Sequence, residues 1–165
     1  MFTNFENMRK TLNGIVRIFF LQKNITLRNR KRLKIFINEM AKGEGYVLEA
    51  VNFIFCSDEY LLNINRQFLK HNYYTDIITF NLSSDPKNLN VEIYISIDRV
   101  RENARSFNVS LNSELLTVIF HGILHVCGYN DKNQKQKKIM RERESYYLTK
   151  YKSNVPRGKT TDTKR

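Results

Sequence analysis

Cysteine is scarce in this 165-residue chain, with only Cys56 and Cys127 present. Two distant thiols, each in an apolar run, cannot supply a disulfide framework. Neither has the close CxxC partner of a zinc knuckle. Both read as buried thiols in a reducing compartment, so a cytoplasmic location is expected. Long apolar stretches are missing too, and no segment has the length to span a bilayer. The run Ile15 to Leu21 is short and carries Arg17 inside it, which makes it a poor signal-sequence core. The only prolines, Pro86 and Pro156, fall in stretches that read as loop and tail. Hydrophobic content is 41%, slightly low for a folded protein yet well outside the disordered range.

Acidic residues are also few, sixteen against twenty-eight Lys and Arg, for a net charge of +12. The excess is uneven. From Lys132 to Arg165 there are twelve basic and three acidic residues, so this stretch carries nine of the twelve net positive charges. Such an excess favours polyanionic partners, RNA above all if the chain also handles phosphodiesters. A solvated basic tail that aids solubility is the plainer alternative. One domain is the default at this length. The expectation is a single domain over 1–150 and a basic, disordered tail over 151–165, with Met1 to Lys10 frayed.

Alternation and helical spacing give the elements. Gly14 to Leu21 suits a first strand. Thr26 can cap a helix to about Ala41, with Leu33, Phe36, Ile37 and Met40 on its inner face. Tyr46 to Cys56 reads as a strand with Val47, Val51, Phe53 and Phe55 on one face. Ser57 can cap a helix to about Lys70 that carries Leu61, Leu62, Ile64, Phe68 and Leu69. Thr75 to Phe80 and Val91 to Ser96 read as further strands. Ser96 can cap a helix from Ile97 to about Phe107. Lys132 to Lys150 is a charged helix with a sparse apolar set of Ile139, Met140, Tyr147 and Leu148. The expected fold is α+β, a small mixed sheet of about four strands packed with helices.

Two of the three histidines, His121 and His125, stand four apart inside the apolar run Leu115 to Cys127. That run has one internal glycine and no proline, so it can form a buried helix. Asn112 or Ser113 can cap its start, Glu114 suits its positive end, and Gly128 suits the turn past its other end. Residues at i and i+4 share a helix face, with Cβ atoms roughly 5–6 Å apart, and two imidazoles there can grip one metal ion. The Gly128 turn can return Asp131 as a third ligand, leaving an open position of the catalytic zinc type. Two satisfied core histidines and a surface Asp would give the same letters. Zinc proteases place Glu directly after the first His, but Gly122 stands there, which argues against that chemistry.

From about Phe53 to Glu144 the chain resembles the YbeY family of bacterial rRNA maturation factors, which are metal-dependent endoribonucleases. Ile64-Asn65 and Thr75-Asp76-Ile77-Ile78-Thr79-Phe80 are similar to its LN…TDVLSF block. Val91 to Ser96 is similar to its GDIYIS strand, although Val91-Glu92 replaces Gly-Asp. The stretch His121 to Tyr129 resembles its HGxLHxxGYDH motif. Met140 and Glu144 stand where the family has Met and Glu. The register places Asp131 where the family usually has a third His, and Asn130 replaces the Asp before it. Carboxylate is a competent zinc ligand, so this reads as a swap that leaves the site more tolerant of harder metals such as manganese.

The resemblance implies a site that binds one Zn2+ (other divalent metals being possible) at His121, His125 and Asp131. It implies a single-strand-specific endoribonuclease that acts in small-subunit rRNA 3′ end maturation and ribosome biogenesis. RNA and the ribosome or its proteins are the implied partners, with no membrane and no small-molecule cofactor. The family's Arg lies six residues before the Thr of its TD pair, and Leu69 occupies that position here. Arg66, about one helical turn earlier, is the candidate stand-in for catalysis and phosphate binding. Thr75 and Asp76 are candidates for shaping the substrate cleft or orienting a histidine ligand. His71 reads as a loop residue. Tyr73, Tyr74 and Tyr129 can stack on splayed bases, but buried tyrosines would look alike in sequence. Two other readings remain at this level, a non-catalytic metal-stabilised RNA- or ribosome-binding factor and an iron enzyme with a two-His, one-carboxylate site.

Overall fold

The computed structural model describes residues 14–22 and 25–153. The expected frayed N-terminus lies outside them, as does the tail beyond Ser153. Strands β1 (Ile15–Phe20), β2 (Val47–Cys56), β3 (Ile77–Asn81) and β4 (Asn88–Ser96) form one sheet in the order β1-β2-β4-β3. The β1–β2 and β2–β4 pairs are parallel, and β3 runs antiparallel to β4. Five helices accompany it: α1 (Arg30–Gly43), α2 (Asp58–Ile64), α3 (Ile97–Ser106), α4 (Leu111–Val126) and α5 (Gln134–Ser153). This is the mixed four-stranded α+β fold expected from the sequence. No single described helix is long and apolar enough to cross a membrane.

Parallel neighbours need a crossover, and α1 supplies it between β1 and β2. Its buried face is Leu33, Phe36, Ile37, Met40 and Ala41, the expected stripe extended by one residue. Thr26 does not cap it. The helix starts at Arg30, after Asn29 in a left-handed conformation with no side-chain cap bond. Asn tolerates that conformation because its short polar side chain adds little clash.

The strand β2 also departs from simple alternation. Leu48 pairs with Leu89 and Ala50 with Asn90, so Glu49 is an extra residue in a bulge. A bulge reverses which face a side chain takes. Leu48 is therefore buried, and Val47, expected inside, is exposed.

One face of the sheet presents Val51, Phe53, Val91, Ile93 and Ile95 to α1, α4 and α5 in the main core. The other face carries a smaller cluster of Cys56, Ile78, Leu61 and Ile64 beneath α2. Ser57 caps α2 and Ser96 caps α3, each accepting a bond from the backbone three residues on. Past Ile64 the chain widens into a π-helical turn, Asn65–Leu69, which turns Phe68 and Leu69 toward solvent instead of the core. Both cysteines are buried and free.

Helix α5 runs to Ser153, past the expected start of the tail, because Tyr151 is buried against Phe36 and Phe120. Glu44, just past α1, ties α5 to the core. Arg143 and Tyr147 both donate to Glu44 Oε1, and the Tyr129 hydroxyl donates to Oε2 at 2.9 Å. Burial alone would raise this carboxyl's pKa. The bonds from Tyr147, Arg143 and Tyr129 outweigh it and hold the pKa below the ordinary 4.5.

A depressed folded pKa means that the stabilisation is complete above the unfolded value and is lost as pH falls through the folded one. Glu44→Gln should cost about 1.5–3 kcal/mol at neutral pH. Thermal unfolding followed across pH 3–7 should show the gap between variant and wild type closing in acid below about 4.5. A gap that stays constant would exclude the carboxylate as its source.

Candidate metal centre

Helix α4 begins with Ser110, whose hydroxyl accepts from Ser113 N, so the cap lies two residues before the earlier of the expected positions. Gly122 faces the sheet between the two histidines. A Cβ there would lie 2.7 Å from Ile77 Cδ1 and 3.2 Å from Ile93 Cγ2. Glycine thus lets α4 settle closely on β3 and β4, with His121 and His125 half-buried.

Past Val126 the helix closes with a Schellman arrangement. Tyr129 N donates to Leu124 O and Gly128 N to His125 O, each at 3.0 Å, with Gly128 at φ +92°. Only glycine adopts that φ freely, and the reversal returns Asp131 to the histidine pair. The loop is held from both sides. Tyr46 donates to Cys127 O at 3.0 Å, and Tyr129 donates to Glu44.

His121, His125 and Asp131 each bring one ligand atom within 4.8 Å of the others. His121 Nδ1–H donates to Glu144 Oε1 at 2.6 Å, and His125 Nδ1–H donates to Tyr129 O at 3.0 Å. These bonds fix both tautomers and leave both Nε2 atoms free, which is the usual support for metal-binding imidazoles. The two Nε2 atoms face each other at 2.8 Å. Two unprotonated nitrogens repel at that distance, and a proton on one of them or a cation held by both would relieve the repulsion.

The electrostatics agree. Burial opposes protonation of His121. The Glu144 bond and the charges of Glu144, Asp76 and Asp131 overcome it and raise the pKa. Burial and then the neighbouring His121 lower that of His125. The donor set of two neutral imidazoles, one carboxylate and an outer carboxylate fits a divalent ion such as zinc. It also has one carboxylate more than a three-histidine site.

The group opens on a cavity of about 580 Å³ that is also lined by Thr75, Asp76, Leu69, His71, Tyr73 and Lys132. Asp76 is steadied by Asn103, whose amide donates to Oδ2 at 3.3 Å, and Thr75 Oγ1 donates to Ile77 O. The buried Glu114 lies in the first turn of α4. Burial and then the like charge of Asp76 push its pKa up.

Arg66 does not line the cavity. Its Nε donates to Asn72 Oδ1 at 2.6 Å, because the π-turn sends it to the outer side. Leu69, at the position of the family's Arg, is the residue of that turn that reaches the cavity. Asn65 and Lys132 also line the cavity. Asn65 was noted in sequence only within the family block, without a role, and Lys132 was hidden in a run of basic residues.

Comparison with known proteins places the chain in a family. The profile of the family described as "Endoribonuclease YbeY" matches residues 18–152. The "Endoribonuclease YbeY" of Cytophaga hutchinsonii is 46% identical over 134 residues, covering 80% of this chain and 94% of that protein. That of Bacteroides thetaiotaomicron is also 46% identical, over 113 residues covering 68% and 82%. The solution structure of TM1509 from Thermotoga maritima is similar with a TM-score of 0.58 at 32% identity. It covers 92% of this chain and all of that one.

Removing Glu144's charge should loosen the metal grip without removing a ligand. Glu144→Gln is expected to weaken zinc affinity roughly 10- to 100-fold by competition with a chromophoric chelator. An unchanged affinity would mean that the His121 tautomer is set without it.

Proposed function

Because this chain belongs to the YbeY endoribonuclease family, we propose that it is a zinc-dependent hydrolase that cuts phosphodiester bonds in single-stranded RNA. Its proposed place is the cytoplasm, in maturation of the small-subunit rRNA 3′ end, with the ribosome or ribosomal proteins as partners. The observation that carries the reading is the three-ligand group in the wall of an open cavity. A structural metal would be closed by a fourth protein ligand, and the group has three among the described residues.

A divalent ion held by His121, His125 and Asp131 would supply Lewis acidity toward a phosphoryl oxygen and an attacking water. Glu144 and the Tyr129 carbonyl hold the two imidazoles in the tautomer that such an ion requires. Asp76 lines the same cavity. With Oδ2 engaged by Asn103, its Oδ1 can take the proton of the attacking water. Lys132 lines the cavity on the loop after Asp131 and offsets charge as it gathers on the phosphorane. That role falls to Lys132, with Arg66 turned away from the site. The +12 net charge draws the polyanion in.

The test is cleavage of a single-stranded RNA by protein stripped with chelator and then restored with zinc or manganese. His121→Ala should fall by a hundredfold or more, to background. Lys132→Ala should lose roughly tenfold in kcat/KM, and Arg66→Ala should stay within about twofold. Metal analysis provides a second check. Asp131→Ala should lose bound zinc and Asp131→His should keep it, and zinc retained by Asp131→Ala would refute the ligand assignment. A zinc-loaded wild type that cuts nothing would favour a non-catalytic binding factor.

A further inference from the structure

The loop between the π-turn and β3 holds two rings at the cavity wall. His71 and Tyr73 are stacked, with centroids 5.2 Å apart and planes 22° from parallel. The Tyr73 hydroxyl and His71 Nδ1 lie 3.1 Å apart and satisfy each other. Both residues are exposed, Tyr73 by 57%, so the pair turns one ring face to itself and leaves broad aromatic surface to solvent.

The loop is also built rather than slack. Asn65, 1% exposed, donates from Nδ2 to Tyr73 O at 2.9 Å, and its own carbonyl accepts from His71 N at 3.2 Å. One buried residue thus fixes both ring-bearing residues, one through its side-chain amide and the other through its backbone carbonyl. The π-turn that begins at Asn65 and the left-handed Lys70 after it swing the loop toward the cavity. Turns of this type cluster at functional sites.

Tyr129 and Tyr74 are already engaged. Tyr129 gives its hydroxyl to Glu44 and is partly buried. Tyr74 donates to Glu59 at 2.6 Å, and its ring face is covered by the Arg99 guanidinium at 5.2 Å. Of these three tyrosines, Tyr73 lines the cavity of the metal group, together with His71.

We infer that the His71–Tyr73 stack is a base platform, receiving an unpaired nucleobase of single-stranded RNA next to the phosphodiester at the His121, His125 and Asp131 group. The inference rests on the RNA-cleavage reading and adds a reason for single-strand preference. A paired base keeps its faces inside the duplex, whereas a free one can lie on an aromatic ring. Leu69 extends the apolar wall at the position of the family's Arg, so contact there is with a base or sugar rather than a phosphate.

The test uses zinc-loaded full-length protein and a fluorescein-labelled 12-nucleotide RNA, either single-stranded or annealed to its complement, with anisotropy as the readout. Tyr73→Ala and His71→Ala should each weaken single-strand binding roughly 5- to 100-fold, leaving duplex binding and zinc content unchanged. Tyr73→Phe, which keeps the ring, should bind like wild type within about threefold. With abasic sites throughout the RNA, wild type and Tyr73→Ala should converge, which mere damage to the loop would not produce. Equal single-strand affinity for wild type and Tyr73→Ala would overturn the platform. Cleavage by the same preparations separates the two readings. Tyr73-dependent binding without any cutting would sink the nuclease and spare the platform. Cutting and binding that ignore Tyr73 would do the reverse.

Discussion

The closeness of α4 to the sheet is the constraint on which the centre depends. At Gly122 the helix comes so near that even a methyl group would press on Ile77 and the fully buried Ile93. This contact fixes the height and rotation of α4. It therefore fixes where His121 and His125, one residue before and three after, emerge from the core. It also sets them beside the start of β3, so Thr75 and Asp76 enter the same cavity. A zinc-protease helix puts its base next to its first histidine. Here that position is spent on packing, and a carboxylate, Asp76, reaches the cavity from the residue just before β3 instead.

Around that contact, acidic groups hold the centre in place without filling it. Glu144 reaches His121 from α5, Asp76 lines the cavity, and Glu44 clamps Tyr129 at the root of the ligand loop. Glu44 also draws in Arg143 and Tyr147. The carboxylate that helps attach α5 to the core is thus the one that steadies the loop of Asp131. Stability and site geometry share one carboxylate.

Much of this was legible in sequence because it is periodic or carried by residues with one dominant use. Alternation in Val91, Ile93 and Ile95, helical spacing in Leu33, Phe36, Ile37 and Met40, and serine caps at Ser57 and Ser96 all register directly in the letters. So do the paired histidines and Gly128. The misreadings fall where tertiary context overrode a local rule. The extra Glu49 flipped Val47 outward. Asn29 opened α1 by its backbone conformation instead of by a side-chain cap. The π-turn shifted the helical phase, moving Arg66 out of the cavity and Leu69 into it. Helical geometry suggested that Arg66 could replace a neighbour one turn away, but that argument assumes 3.6 residues per turn, and the chain departs from it there.

The three ligands span only residues 121 to 131, and Glu144 follows thirteen residues later. Closing so short a segment costs little chain entropy. During synthesis the ligand set would be complete as soon as α4 and its terminal turn had formed. The carboxylate that orients His121 would come only with α5. A metal ion held by this group would therefore meet its ligands early in the chain and its orienting carboxylate only with the last helix.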